Sequence, residues 1–289
     1  NEHEVSISSA KTVFQAFNAQ INKERFTVKA FYINKYGEWL DSDSSEKILI
    51  GEIENNKTKK QGIFNQEKIN FLEGIGFQNI DVWFPLLHGF NGEDGSIHGL
   101  LRFTKKPLVG CGIIGSALGM DKILMKAIFS NLKIPQVNYI VSQNEDLKNK
   151  EVKNKLINEV LKKLNFPVFV KPSNSGSSLG ISKILNESEI SQALEKAQEI
   201  DSRILVEEGL EVREIECGII GNSKLQASEI GEVKYDSDWY DYDSKYNSNN
   251  KIIIPAEIDY QIGKEIKEIA IQSCRALNIF GFARVDFFL

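Results

Sequence analysis

Lys171-Pro172-Ser173-Asn174-Ser175-Gly176-Ser177-Ser178-Leu179-Gly180 is the stretch on which the reading of this chain turns. It follows the apolar run Phe166-Pro167-Val168-Phe169-Val170, which reads as a buried strand, and it leads into a second short strand at Ile181–Ile184. Small residues after a strand let backbone N–H groups converge on an anion. Lys171, at the strand end, supplies a compact cation for a phosphate. Composition alone favours an ordinary Gly/Ser hairpin; the adjoining lysine on a buried strand brings the phosphate reading level with it.

Working outward, downstream periodicity predicts a helix over Glu187–Ile200, a strand at Arg203–Glu208 and an alternating strand at Glu211–Ile220. A helix over Tyr260–Leu277 and a last strand at Ala283–Phe288 follow. Upstream, a helix is expected from Asp121 to Ser130 and a solvated one within 144–165. In the first part, Val5–Ala10 leads into a helical pattern with Val13, Phe14, Phe17 and Ile21 on one face. Phe26–Ile33, Asp81–Leu87 and Pro107–Gly110 read as strands. Segment 41–79 is polar and reads as surface loop with a helix near Glu67–Ile75. Strands alternating with helices predict an α/β unit with a largely parallel sheet.

The chain has 289 residues, 42% of them hydrophobic and 26% charged, which suits about two soluble globular domains. Its net charge of -5 argues against a dedicated nucleic-acid binder. No apolar run is long enough for a membrane span. Three scattered cysteines, Cys111, Cys217 and Cys274, form neither a disulfide framework nor a paired-cysteine zinc site, and they suit a reducing cytosol. The chain opens on Asn1-Glu2-His3 and stops at Val285–Leu289 in what reads as mid-strand, so both ends read as cut.

Four further features carry chemistry. Gly110-Cys111-Gly112-Ile113-Ile114-Gly115 is formally a dinucleotide-fold G-x-G-x-x-G, but the acidic residue needed about 20 positions later is absent, and a tight turn closing a domain is the better reading. His88-Gly89-Phe90-Asn91-Gly92-Glu93-Asp94-Gly95 places an imidazole and carboxylates in a glycine-rich loop after a strand, where α/β folds bind ligands; a solvated turn is the alternative. Tyr235, Trp239, Tyr240, Tyr242 and Tyr246, interleaved with Asp, Ser and Lys245, read as a lid or as an irregular surface loop. On the last strand Arg284 and Asp286 share a face by alternation, as a surface ion pair or as a Mg²⁺ carboxylate with a neighbouring arginine.

Taken in order, these motifs resemble the D-alanine–D-alanine ligase family of the ATP-grasp superfamily. The residues that carry the likeness are Glu2-His3-Glu4-Val5-Ser6, His88–Gly95, Ser116–Lys122, Lys171–Gly180, Tyr240–Tyr246 and Arg284–Asp286. The resemblance implies a mixed α/β and α+β fold: a Rossmann-like pre-ATP-grasp domain over residues 1–117, then a two-lobed ATP-grasp. Its small lobe would span 118–209 and its large lobe 210–289. It also implies a reaction in which one D-alanine carboxylate attacks the γ-phosphate of ATP and a second D-alanine amine then displaces phosphate. D-serine or D-lactate is the acceptor in some relatives, as are other amines in more distant carboxylate–amine ligases.

By that resemblance Lys122, Lys171 and Lys245 hold phosphates with Ser178, and Asp286 is a ligand for Mg²⁺ or Mn²⁺. Arg284 stabilises the oxyanion, Glu2 pairs with the first D-alanine ammonium, and Glu2, Ser177 and Tyr246 tie that subsite to the lid. His88, with Glu93 beside it, belongs near the first D-alanine; Glu207 begins the adenine-contacting hinge, and Glu214 meets the ribose hydroxyls. A cytoplasmic homodimer serving peptidoglycan precursor synthesis is implied. The family's Gly-Gly-x-Ser run ahead of Glu2 and its second metal-binding pair after Leu289 are not in this chain, and His98 stands where the family often has Gln or Thr.

Overall fold

The computed structural model describes residues 2–53, 79–143, 147–235 and 251–289. The chain divides into two units: Asn1–Gly92 with Ser96–Val109, and Glu93–Gly95 with Gly110–Leu289.

In the first unit α1 spans Glu2–Asn18, so the helix starts at the head of the motif rather than after Ala10. Glu2 and Glu4 in its first turn suit the positive helix end, and Ser6 Oγ donates back to Glu2 O. A single turn, α2, follows at Gln20–Lys23. Phe26–Ile33 is extended but joins no ladder among the described residues. Asn34 turns the chain back on itself, so Ile33 bridges Trp39 and Leu40 N–H donates to Tyr32 O. The Tyr32 N–H goes instead to Ser45 Oγ on α3, Ser42–Ile50. That helix corrects the loop expected there. Its signals were local: Asp41 caps the start by accepting from Ser44 N–H, and Gly51 ends it with φ of 85°. The helix expected near Glu67–Ile75 lies outside the described residues. The expected parallel pairing is present as one bridge, Trp83 to Leu108. Trp39, Ile80, Trp83, Ile97 and Leu101 pack as one core, the last two from α4, Ser96–Arg102.

The second unit opens with α5, Ile113–Met120, and α6, Lys122–Asn131. Two antiparallel sheets follow. The first has the order β1-β4-β2-β3, built from Tyr139–Ser142, Val168–Pro172, Ser182–Ile184 and Ile204–Glu208 (β1 to β4 in chain order). One face of it carries Ile140, Val168, Val170, Ile204 and Val206, buried under α7 (Lys150–Lys163) and α8 (Glu187–Gln198). The second sheet has the order β7-β6-β5-β8, from β5 Glu214–Gly221, β6 Gln226–Lys234, β7 Lys251–Ile253 and β8 Gly281–Phe288. Ile215, Cys217, Ile219 and Ile230 pack under Ile266, Ala270 and Cys274 of α9, Tyr260–Ala276. Cys217 and Cys274 are core atoms, with no disulfide between them. No helix among the described residues is long and apolar enough to cross a membrane.

The G-x-G-x-x-G run is a turn that becomes a helix: Gly112 is the N-cap of α5. Its glycines serve close packing. A Cβ on Gly112 would lie 2.6 Å from the Phe280 ring, and one on Gly115 would lie 2.9 Å from the Asn278 carbonyl oxygen. We expect Gly115→Val to overpack this contact and lower unfolding free energy by about 1–3 kcal/mol, read from the midpoint of denaturant unfolding.

Candidate active site

The root of the Ser/Gly loop is clamped from two sides. Ser173, fully buried, donates from Oγ to Asp121 Oδ1 at 2.8 Å and from N–H to Arg203 O at 2.9 Å. Its carbonyl accepts from Lys122 N–H at 3.2 Å. The next residue, Asn174, donates its N–H to Asp201 Oδ2 at 2.9 Å. Beyond the clamp the loop curls on itself, Ser175 Oγ donating to Leu179 O at 2.7 Å. Ser177, Ser178 and Gly180 take φ of 49°, 60° and 74°. For two serines this is costly backbone, of the order of 1 kcal/mol each. Such strain persists where the surrounding bonds dictate it.

Asp121 is the anchor of the clamp. It caps α6 by accepting from Leu124 N–H at 3.0 Å and pairs with the Arg203 guanidinium. Burial pushes its carboxyl upward, but Arg203, the Leu124 N–H and Ser173 outweigh that and hold it below the usual range. Lys122, expected on a phosphate, directs its ammonium to the loop carbonyls of Ser173 and Ser175.

Lys171 meets Glu207 rather than open solvent. Glu207 is buried on β4; Lys126 Nζ lies 2.6 Å from its Oε1, and Lys171 reaches Oε2. Burial favours the neutral acid, but the two ammonium groups overcome it and bring the Glu207 carboxyl down to about 2. Across the sheet Tyr139 and Phe169 are both direct register partners of Glu207, so the carboxylate stands between two rings. Lys126 lies over the Tyr139 ring and Lys171 over the Phe169 ring. Two lysines on one carboxylate leave one surplus positive charge in a poorly solvated place, which favours an arriving anion.

On the second sheet alternation holds as expected: Arg284 and Asp286 share the exposed face of β8. They pair, with Nε to Oδ1 at 2.7 Å and Nη2 to Oδ2 at 3.1 Å. Glu216, opposite Asp286 on β5, adds a second carboxylate 3.2 Å from Arg284. Glu214 begins β5 and accepts from Tyr235 Oη at 3.5 Å. Among the described residues no three His, Cys, Asp or Glu side chains gather as a metal site.

In the first unit the head of α1 meets the loop after Leu87. His88 N–H donates to Ser6 Oγ at 2.8 Å, and His88 Nε2 lies 2.9 Å from Ser9 Oγ. A Cβ on Gly89 would fall inside the Glu2 carboxylate, so glycine is what lets Glu2 lie against this loop. Glu93 clusters with the second unit. Lys245 and Tyr246 lie outside the described residues.

Of the residues singled out from sequence, the structure places Lys171, Ser177, Ser178 and Glu207 on the first sheet and its loop, and Glu214, Arg284 and Asp286 on the second. The sequence reading missed Lys126, Asp121, Ser173, Arg203 and Glu216. Of these, Asp121 carried a signal, an acid before a helix start, whereas Lys126 reads in sequence as one more helix lysine.

Comparison with known proteins decides the family. The "D-ala D-ala ligase C-terminus" profile matches residues 128–289 and the "D-ala D-ala ligase N-terminus" profile matches residues 1–111. The chain belongs to the D-alanine–D-alanine ligase family. It is 86% identical over 289 residues to the D-alanine–D-alanine ligase of Prochlorococcus marinus strain MIT 9301, covering 100% of this chain and 81% of that relative. Against the strain NATL1A protein of the same description, identity is 46% with the same coverage. Among solved structures, the VanG D-Ala:D-Ser ligase from Enterococcus faecalis superposes with a TM-score of 0.79 at 31% identity, over 100% of this chain and 82% of that one. The D-alanine–D-alanine ligase from Coxiella burnetii gives 0.75 at 26%, over 100% and 77%. The fold is thus the ATP-grasp architecture of these family members. Asp121, Lys122 and Lys126 sit between the two matched segments.

Two outcomes follow from the buried charges. Asp121→Ala breaks a buried ion pair and a helix cap, and should lower unfolding free energy by about 3 kcal/mol, with Asp121→Asn milder because it keeps an acceptor for Leu124 and Ser173. Acid unfolding should take up protons at Asp121 and Glu207. Their carboxyls titrate lower when folded, so their contribution is complete above the unfolded carboxylate range and is lost as pH falls through the folded values, about 2 for Glu207. Potentiometric titration during unfolding checks the uptake.

Proposed function

We infer that this chain is an ATP-dependent ligase that joins two D-alanines into D-alanyl-D-alanine, releasing ADP and phosphate. The observation that carries the reading is the surplus positive charge at Lys171–Glu207–Lys126 beside the clamped Ser/Gly loop. It sits in a chain matched over its whole length by D-alanine–D-alanine ligases. The chemical problem is to bring a carboxylate to a polyphosphate and then an amine to an acyl phosphate. Cations and fixed donors aimed at the developing charge are what such a reaction needs.

In this reading Lys171 and the N–H groups around Ser177 and Ser178 receive the phosphates, joined by Lys122 and Lys245. The γ-phosphoryl group passes to a carboxylate oxygen of the first D-alanine as ADP leaves. The second D-alanine amine then attacks the acyl carbon, the carbonyl electrons move onto oxygen, and inorganic phosphate departs as the amide forms. Arg284 faces the oxyanion and acyl phosphate. Glu2 holds the first ammonium, and His88, fixed by Ser6 and Ser9, borders the same amino acid. Glu214 takes the ribose hydroxyls, and the chain after Glu207 meets adenine. Ser177 and Tyr246 link the lid to Glu2.

Asp286 and Glu216 offer hard oxygen donors on one face of the second sheet, which suits Mg²⁺ or Mn²⁺; such ions use one or two carboxylates together with substrate phosphates. When bound, magnesium neutralises charge on the phosphates. Residues 118–209 and 210–289 are the two lobes in this reading. A homodimer acting in the cytoplasm, where ATP is available, and feeding peptidoglycan precursor synthesis completes it; light scattering checks the dimer.

Purified protein given ATP with D-alanine should release phosphate and dipeptide in equal amounts. The fold shared with a D-Ala:D-Ser ligase makes D-serine the acceptor to compare, and a preference for D-serine or D-lactate would overturn the D-alanine assignment. Lys171→Ala should raise the ATP KM about ten- to a hundredfold, the loss of a charge-assisted contact, while Glu2→Gln should raise the D-alanine KM alone.

A further inference from the structure

The charge pattern on the first sheet assigns a part to a lysine that the reaction scheme above leaves idle. Each oxygen of Glu207 has its own ammonium: Lys126 from α6 on Oε1 and Lys171 from β2 on Oε2. The two lysines are not equivalent. The Lys126 side chain is 8% exposed, is seated over Tyr139, and rises from a helix whose start is clamped by Asp121. Lys171 is 16% exposed and stands at the strand end where the Ser/Gly loop begins. Only Lys171 belongs to the phosphate-receiving loop.

We propose that Lys126 is a positioning residue: it remains on Glu207 as a fixed counter-charge, so that Lys171 can exchange that carboxylate for a nucleotide phosphate. This rests on the ATP-dependent reading given above. A buried carboxylate stripped of every cation is costly, because neither water nor a partner then compensates its charge. With Lys126 in place, moving Lys171 onto a phosphate leaves one ion pair behind. Without Lys126 the same movement strands Glu207, and ATP must offset that cost with its own binding energy. Lys126 thus acts on ATP through Glu207 and Lys171, touching no nucleotide itself.

The surroundings of Glu207 make the idea testable by pH. Among the described residues, the charged or titratable groups on its face of the sheet are Lys126 from α6, Lys171 from β2, Tyr139 from β1 and, one strand beyond Phe169, Lys183 from β3. The opposite face is the apolar core under α7 and α8. A Glu207 stranded by loss of Lys126 has one escape, which is to bind a proton when ATP draws Lys171 away.

The experiment compares wild type with Lys126→Met, Lys126→Gln and Lys126→Arg, measuring kcat and KM for ATP and D-alanine at several pH values, with thermal unfolding as a folding control. At about pH 8 we expect Lys126→Met and Lys126→Gln to raise the ATP KM about tenfold, with the D-alanine KM unmoved and kcat changed less than about threefold. The ratio to wild type should shrink to less than about threefold near pH 5.5, since protonation relieves the stranded carboxylate. Lys126→Arg, which keeps the charge, should stay within about threefold of wild type throughout. An ATP KM unchanged at pH 8, a ratio equal at both pH values, or an arginine variant as poor as the methionine one overturns the proposal. If methionine unfolds the protein, the glutamine and arginine variants decide by the same criteria. Wild type that turns over no ATP with D-alanine overturns the ligase reading; wild type that does so, with a pH-independent variant ratio, overturns only the role of Lys126.

Discussion

Asp121 accepts from a serine hydroxyl, a helix N–H and a guanidinium at once, and the geometry of the Ser/Gly loop depends on that arrangement. Its three partners come from the loop root, from α6 and from the turn before β4. Because the carboxylate is buried and engaged by all three partners, it ties those elements together. Buried polar sets of this kind are unforgiving: complete, they define a single arrangement, and incomplete, they cost more than an apolar core would.

The charges deeper in the sheet follow from the same rigidity. With α6 clamped at its start, Lys126 one turn further on is delivered to Glu207. The cation–carboxylate–cation row is thus set by a helix cap and a strand register, both of which leave marks in sequence. The row itself leaves none, since a lysine in a helix and a glutamate in a strand are ordinary residues.

That contrast explains what was legible. Most second-unit elements were, because β2, β4, α8 and α9 each carry strong periodicity and clear ends. The first unit was read less well. Phe26–Ile33 has strand composition, but its neighbouring turn at Asn34 claims its hydrogen bonds locally, and the Tyr32 N–H goes to a serine. Helix α3 was missed because polar composition outweighed its cap and its glycine stop. Of the candidate site, Lys171, Arg284 and Asp286 announced themselves as charges on apolar strands. Asp121, Lys126 and Arg203 act through tertiary partners about 50 to 80 residues distant, which no local pattern encodes. The G-x-G-x-x-G run shows the converse: a pattern with a chemical meaning elsewhere is here a device for close packing.

The register of the first sheet has one more consequence. Tyr139, Glu207 and Phe169 lie in line across three strands, with Val206 and Val170 stepping to the other face. Sliding β4 by a single residue would drive Glu207 into the apolar layer beneath α8 and turn Val206 toward two ammonium groups. The carboxylate therefore marks the register, penalising one-residue slips between strands whose Val, Ile and Leu content would otherwise tolerate them. The carboxylate that gathers two lysines thus also fixes which face its own strand presents.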